Sequence, residues 1–172
     1  MPTRWRETEP MPGLSQSELE SFLDEPGHLL RLGTVGSDGL PRVVPIWFIH
    51  RNGKLWFTPR ARSAWFDDLR NNLGVCCTID ESGGLMRKVI ARGTATIEHE
   101  VGNDDAWRDL YRDITMRYVP ESFGEAYLTD THDEPRGLVS LQLAGAQVST
   151  WRMPGKGEDK LAVWAPKYYH RA

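Results

Sequence analysis

Two tight-turn signals, Asp38-Gly39 and Asn52-Gly53, do most to limit what this 172-residue chain can fold into. Each supplies the positive φ angles that a two-residue hairpin turn requires. They separate three β-prone runs, residues 29–36, 41–50 and 54–58, so the spacing predicts two consecutive hairpins. The third run leads through Pro59-Arg60-Ala61-Arg62-Ser63 into a helical pattern in which Trp65, Phe66, Leu69 and Leu73 share one face. Ser63 is the candidate N-cap, and Asp67 and Asp68 fall early in the helix.

Two arginines just before a helix start place fixed positive charge beside unpaired backbone N–H groups, the arrangement with which proteins hold phosphate. The same residues also fit a solvated loop, and spacing alone leaves both readings open. Pro45 interrupts an otherwise apolar run. Proline cannot donate to a sheet ladder, so it belongs at an edge or bulge, either facing a ligand or blocking edge-to-edge association.

The remaining chain alternates strands and helices. Ser15 and Glu18 form a capping box, with Leu14 and Leu19 as its hydrophobic staple, for a short helix ending near Asp24. Residues 75–80 and 86–99 read as a fourth and a long fifth strand, the latter with small residues that let another layer approach closely. A helical region begins near Asn103 with the stripe Trp107, Leu110, Tyr111, Ile114 and Tyr118, and Pro120 opens a shorter helix through Tyr127. Residues 138–151 form the sixth strand. Residues 1–13 read as a tail that is loose or docks through Trp5, and 152–172 as an extension carrying Trp164, Tyr168 and Tyr169. The expectation is one domain: a mainly β, α+β, six-stranded barrel flanked by helices, with a helical insert at 103–128.

Composition narrows the function classes. A formal charge of −3 argues against a bulk nucleic-acid binder. The 16 Arg against 5 Lys favour forked carboxylate or phosphate contacts, or reflect coding bias. Seven Trp suit core, interface or a flat aromatic ligand. The two cysteines, Cys76 and Cys77, are adjacent and point to opposite faces of a strand, so they are expected unpaired. Neither an apolar signal core nor a run of membrane-spanning length is visible, so a cytoplasmic location is expected. The five histidines lack metal-ligand spacing, and no nucleophile elbow, P-loop or dinucleotide fingerprint occurs. Glu81, Glu98 and Glu100 either sit together at strand ends or, as the favoured reading, are solvated carboxylates. Any catalysis is expected to rest on a cofactor.

The segments LLRLGTVGSDGLPRVVPIWF, RNGKLWFTPRARS and RKVIARGTATI, in that order and spacing, resemble the pyridoxamine 5′-phosphate oxidase-like split barrels, which bind flavin or deazaflavin. The resemblance implies a six-stranded split barrel that forms a homodimer with cofactors in clefts between subunits. Carried over residue by residue, Arg42, Val43, Val44, Pro45, Ile46 and Trp47 match the segment along the ring and ribityl chain, Arg42 as a phosphate contact. Phe57 and Thr58 match the strand end near the phosphate, and Arg60, Arg62 and Ser63 the phosphate turn. Lys88 matches a polar position reaching the flavin, and Trp151 an aromatic acting across the dimer. Many members have Ser-x-Lys where this chain has Ser63-Ala64-Trp65. Arg60 or Arg62 could replace that lysine, and Trp65 reads as helix-face core.

The resemblance implies an FMN- or coenzyme F-420-dependent oxidoreductase that moves a hydride to or from a small organic substrate, with no catalytic side chain, no metal and no nucleic-acid or membrane partner. Trp47, Trp151 and the C-terminal aromatics are candidate walls of the substrate site. Oxidation of pyridoxamine phosphate itself is disfavoured, since Lys156, Lys160 and Lys167 are too scattered to supply that enzyme's basic C-terminal motif. The alternatives are a non-catalytic flavin, deazaflavin or haem binder and an oligonucleotide-binding barrel.

Overall fold

A computed structural model describes residues 13–158. The expected contacts of Trp5, Trp164, Tyr168 and Tyr169, and the positions of Lys160 and Lys167, lie outside those residues.

The described elements are α1 (Gln16–Asp24), β1 (Leu30–Val35), β2 (Pro41–Ile46), β3 (Ile49–Arg51), β4 (Lys54–Phe57), α2 (Ala64–Asn71), β5 (Gly74–Asp80), β6 (Lys88–Thr94), β7 (Thr96–His99), α3 (Arg108–Met116), α4 (Glu121–Asp130), β8 (Leu138–Gln142) and β9 (Gln147–Trp151). Short 3-10 turns occupy Asp104–Trp107 and Leu143–Gly145. The strands form a five-stranded sheet in the order β2-β1-β5-β6-β9 and a four-stranded sheet in the order β3-β4-β8-β7. Every pairing is antiparallel.

The six strand-like runs of the sequence therefore become nine strands, because three of them pass from one sheet into the other. The 41–50 run divides into β2 and β3 at Trp47 and Phe48, where the fully buried Phe48 ring turns into the core. The 86–99 run divides at Ala95, whose N–H leaves the ladder and donates to the Leu73 carbonyl at 2.8 Å. The 138–151 run divides at the turn Leu143–Gly145. Both hairpin turns form as their residues dictate, with positive φ at Gly39 and at Asn52 and Gly53.

The core lies between the sheets and under α1 and α2, around the fully buried Phe22, Phe48, Phe57 and Phe66. On β1, Leu30, Leu32 and Thr34 point inward while Arg31 and Val35 point out, the period of a half-buried strand. The small residues of β6 do bring layers close. A Cβ at Gly93 would meet Leu141 Cδ1 at 3.1 Å and Ala146 Cβ at 3.2 Å. Cys76 and Cys77 are both free, and burial pushes the Cys77 thiol up to about 12.

The capping box of α1 is present, with Glu18 N donating to Ser15 Oγ and Ser15 N to Glu18 Oε2. Leu14 and Leu19 both pack against the core. In α2, Trp65, Phe66 and Leu69 are buried as their spacing predicts, so Trp65 is core. Leu73 instead lies beyond the helix and is 38% exposed, because α2 ends at Asn71. Pro120 stands at the N-cap of α4, one residue before the expected first helical position, and α4 runs past Tyr127 to Asp130. Trp107, Tyr111 and Ile114 form the buried stripe of the helical segment. Its end is tied to the barrel by Tyr118, whose hydroxyl accepts from Phe48 N at 3.1 Å and donates to the His28 carbonyl at 2.7 Å.

Candidate functional site

Strand β2 is an edge strand, and its residues alternate between two environments. Val44 and Ile46 pack against the core, whereas Val43 and Pro45 are exposed on the other face. The six consecutive residues Arg42–Trp47 thus do not present their side chains to one surface. Pro45 sits on the sheet edge, where its missing N–H costs no ladder bond. Trp47 stacks on Tyr118 at 5.0 Å between ring centroids, with Tyr127 edge-on at 5.9 Å.

Arg42 shares a face with Val44 and reaches α2. Its Nε donates to Asp68 Oδ2 at 2.8 Å, and the buried Thr34 hydroxyl donates to the same oxygen at 2.7 Å. Those bonds, Arg42's first, hold the Asp68 carboxyl below the usual range despite its burial. Arg42 is therefore already paired, though its side chain is 43% exposed.

The turn before α2 is built differently from a standard cap. Ser63 makes no side-chain capping bond, and its Oγ accepts instead from Arg60 N at 3.1 Å. The first turn of α2 is left without a side-chain acceptor, beside an exposed Arg62 that makes no hydrogen bond or ion pair with any described residue. Thr58, at the end of β4, is half-buried, while Phe57 is fully buried against Trp65 and contributes core rather than a site wall. The Arg60 guanidinium turns away from this turn toward the helical segment. It donates to the Tyr127 hydroxyl at 3.3 Å and pairs with Glu134 at 3.3 Å.

Lys88 and Trp151 face each other across β6 and β9, with Lys88 Nζ 5.0 Å from the Trp151 ring centroid. They stand near the opposite edge of the five-stranded sheet from β2. The predicted residues thus fall into two groups in one chain, Arg42 with the turn before α2 on one side and Lys88 with Trp151 on the other.

Two clusters have no signature in the sequence. Glu25, His28 and Glu81 bring ligand-type atoms within 4.8 Å of one another. Arg87 already supplies a cation there, donating to both carboxylates at 2.7–2.9 Å. Arg87's hydrogen bonds lower Glu81 to about 2. Glu98 instead pairs with Lys54 and Glu100 with Arg70, so the three glutamates occupy three separate places, and Glu81 and Glu98 are largely covered by their cationic partners and not solvated as expected. The second cluster is Arg60, Arg136, Tyr127 and Glu134. Its members are 76 residues apart at the extremes, and only the fold brings them together.

Among solved structures, a conserved hypothetical protein from Mycobacterium tuberculosis matches with 18% identity over 88% of this chain and 98% of its own, at a TM-score of 0.66. A protein described as an F420 reductase matches with 23% identity over 74% of this chain and 94% of its own, at 0.56. The FAD and heme binding protein from Mycobacterium smegmatis matches with 21% identity over 90% of this chain and 79% of its own, at 0.60. At these identities the likeness establishes the shared split-barrel fold. No curated protein matches the chain. The family model described as pyridoxamine 5′-phosphate oxidase covers residues 15–152, and the chain belongs to that family.

Proposed function

We propose that the chain binds FMN, or alternatively the deazaflavin coenzyme F-420, in a cleft shared by two copies, and moves a hydride between the cofactor and a small organic substrate. The observation that carries this reading is the turn before α2. There an uncapped helix start stands beside the unpaired Arg62, a donor set that fits a phosphate monoester. The missing lysine of the family pattern is then replaced by Arg62, with the α2 backbone N–H groups and Thr58 completing the anchor.

A bound flavin or deazaflavin ring supplies the hydride chemistry. The chain's own residues bind and orient. In this reading Val43 and Pro45 lie along the ring edge, and Lys88 and Trp151 come from the second copy, because three strands separate β2 from β9 within one sheet. Trp47, braced by Tyr118, gives a rigid aromatic wall that excludes water from the substrate side. In this reading the substrate differs from pyridoxamine phosphate.

The test is a fluorescence titration of the purified full chain with FMN and with F-420 separately, beside Arg62→Ala. Binding of one cofactor, weakened at least tenfold in the variant, is the expected result. Binding of neither overturns the reading. A second reading, a non-catalytic carrier, is favoured by the likeness to the FAD and heme binding protein. Haem binding without turnover of any reduced cofactor would select it.

A further inference from the structure

Beyond the proposed cofactor turn, we infer a second anion-binding seat formed by Arg60, Arg136 and Tyr127, in which Glu134 stands in for a phosphate or carboxylate ligand. Residues 59–61 and 135–137 extend the β4–β8 pairing, with Ala61 N donating to the Pro135 carbonyl and Gly137 N to the Pro59 carbonyl, both at 3.0 Å. Arg60 and Arg136 are direct cross-strand neighbours in that bridge. Like charges placed opposite one another on neighbouring strands repel, so the pair needs a counter-charge.

The two guanidiniums share what lies between them. Both donate to the Tyr127 hydroxyl, Arg60 at 3.3 Å and Arg136 at 3.1 Å. Both face one Glu134 carboxylate oxygen, at 3.3 Å from Arg60 and 3.9 Å from Arg136. Arg136 is only 5% exposed, lies over the Tyr111 ring at 4.4 Å, and leaves its Nε without a partner. Asp104 is adjacent, but its Oδ2 accepts from the Arg136 backbone N and its buried Oδ1 has no partner, so neither oxygen accepts from the guanidinium. A buried guanidinium with an unused donor and a distant, shared carboxylate is under-compensated.

The seat also has a mouth. Arg60 and Glu134 are about half-exposed, whereas Arg136 forms the closed back wall. Glu134 precedes Pro135 in the loop after α4, so its side chain can swing out without breaking a sheet bond. An incoming phosphate or carboxylate would displace it and accept from both forks and from Tyr127.

The experiment is calorimetric titration of inorganic phosphate into the full chain, its Glu134→Gln variant, and that variant carrying Arg60→Gln or Arg62→Gln. The altered residues are exposed, so the fold is retained. Phosphate is expected to bind Glu134→Gln at least tenfold more tightly than the parent. Adding Arg60→Gln should abolish the gain, and adding Arg62→Gln should preserve it. Equal affinity for parent and Glu134→Gln, or a gain that depends on Arg62 instead of Arg60, overturns the seat. A parallel arm compares FMN with riboflavin. Tightening of FMN along with inorganic phosphate by Glu134→Gln, with riboflavin unchanged, identifies a cofactor phosphate as the occupant, while unchanged FMN with tightened phosphate identifies a free or substrate anion. Failure of FMN to bind any variant leaves the cofactor reading to the F-420 titration and the seat to the phosphate result.

Discussion

Asp68 illustrates how a single side chain can join the candidate site to the core. Its carboxylate holds Arg42 from the edge strand and the buried Thr34 hydroxyl from β1 on one oxygen. Asp68→Ala removes the acceptor of both bonds and strands the Thr34 hydroxyl, an expected loss of about 2 kcal/mol in urea denaturation. The Arg42 part is discounted, because that side chain is nearly half-exposed and screened. Glu81 makes a sharper test, since Arg87 lowers its carboxyl to about 2. A depressed carboxyl stabilises the fold above its unfolded pKa, and that stability is lost as pH falls through the folded value. The window is therefore from about pH 4.5 down to about 2. Glu81→Gln should be less stable than the parent at pH 7 by about 2–3 kcal/mol and show a much flatter decline across that window. Equal slopes for the two proteins would remove Glu81 from the acid transition. Neither partnership could be read from the sequence. Asp68 looked like an acidic residue at a helix start, and the Arg87 that holds Glu81 is fixed from its other side by Glu25, far away in the chain.

The helical elements depend on one another through Arg117. Its guanidinium donates to the carbonyls of Leu23, Asp24 and Glu25 at 2.8–3.0 Å, where α1 has no further helical N–H to offer them. A cation at a helix C-terminus also opposes the negative end of the macrodipole. Arg117→Ala is expected to cost about 1–2 kcal/mol and to raise amide exchange in α1 before any change in β5 or β6. Gly137 is the backbone counterpart. A Cβ there would lie 2.6 Å from Phe66 Cζ and 3.2 Å from the His99 carbonyl, so Gly137→Ala must displace a core ring. A loss of about 1–3 kcal/mol in thermal or urea unfolding is expected. At this scale the sequence was highly legible. The α1 capping box, hairpin dipeptides and apolar periodicity placed the described strand runs and helices. The points where three runs change sheets were hidden, because inward–outward alternation continues through a bend and nothing local marks Phe48 or Ala95 as a corner.

For the whole molecule, the predicted cofactor residues of the five-stranded sheet divide between its β2 edge and its β6–β9 side, and that division leads to a test of assembly. Strand β2 carries Val43, 66% exposed, and the adjoining turn carries Leu40, 65% exposed. An apolar side chain on an unpaired edge invites a partner unless a charge or proline blunts it. Pro41 and Pro45 flank Val43 and prevent continuous ladder pairing there. Contact through side chains, with the ring of a cofactor between copies, satisfies both features at once. The family resemblance made this arrangement expectable, whereas the sequence alone could not show that Arg42 faces Asp68 or that Lys88 meets Trp151 at the far edge. If β2 of one copy meets the β9 edge of another, Val43→Glu places a charge in that contact. Sedimentation of the parent should then show a dimer and the variant a shift toward monomer, with cofactor affinity falling at least tenfold in parallel. A variant that remains dimeric and binds cofactor as the parent does would remove β2 from the interface. A monomeric variant with undiminished binding would place the whole cofactor site within one chain.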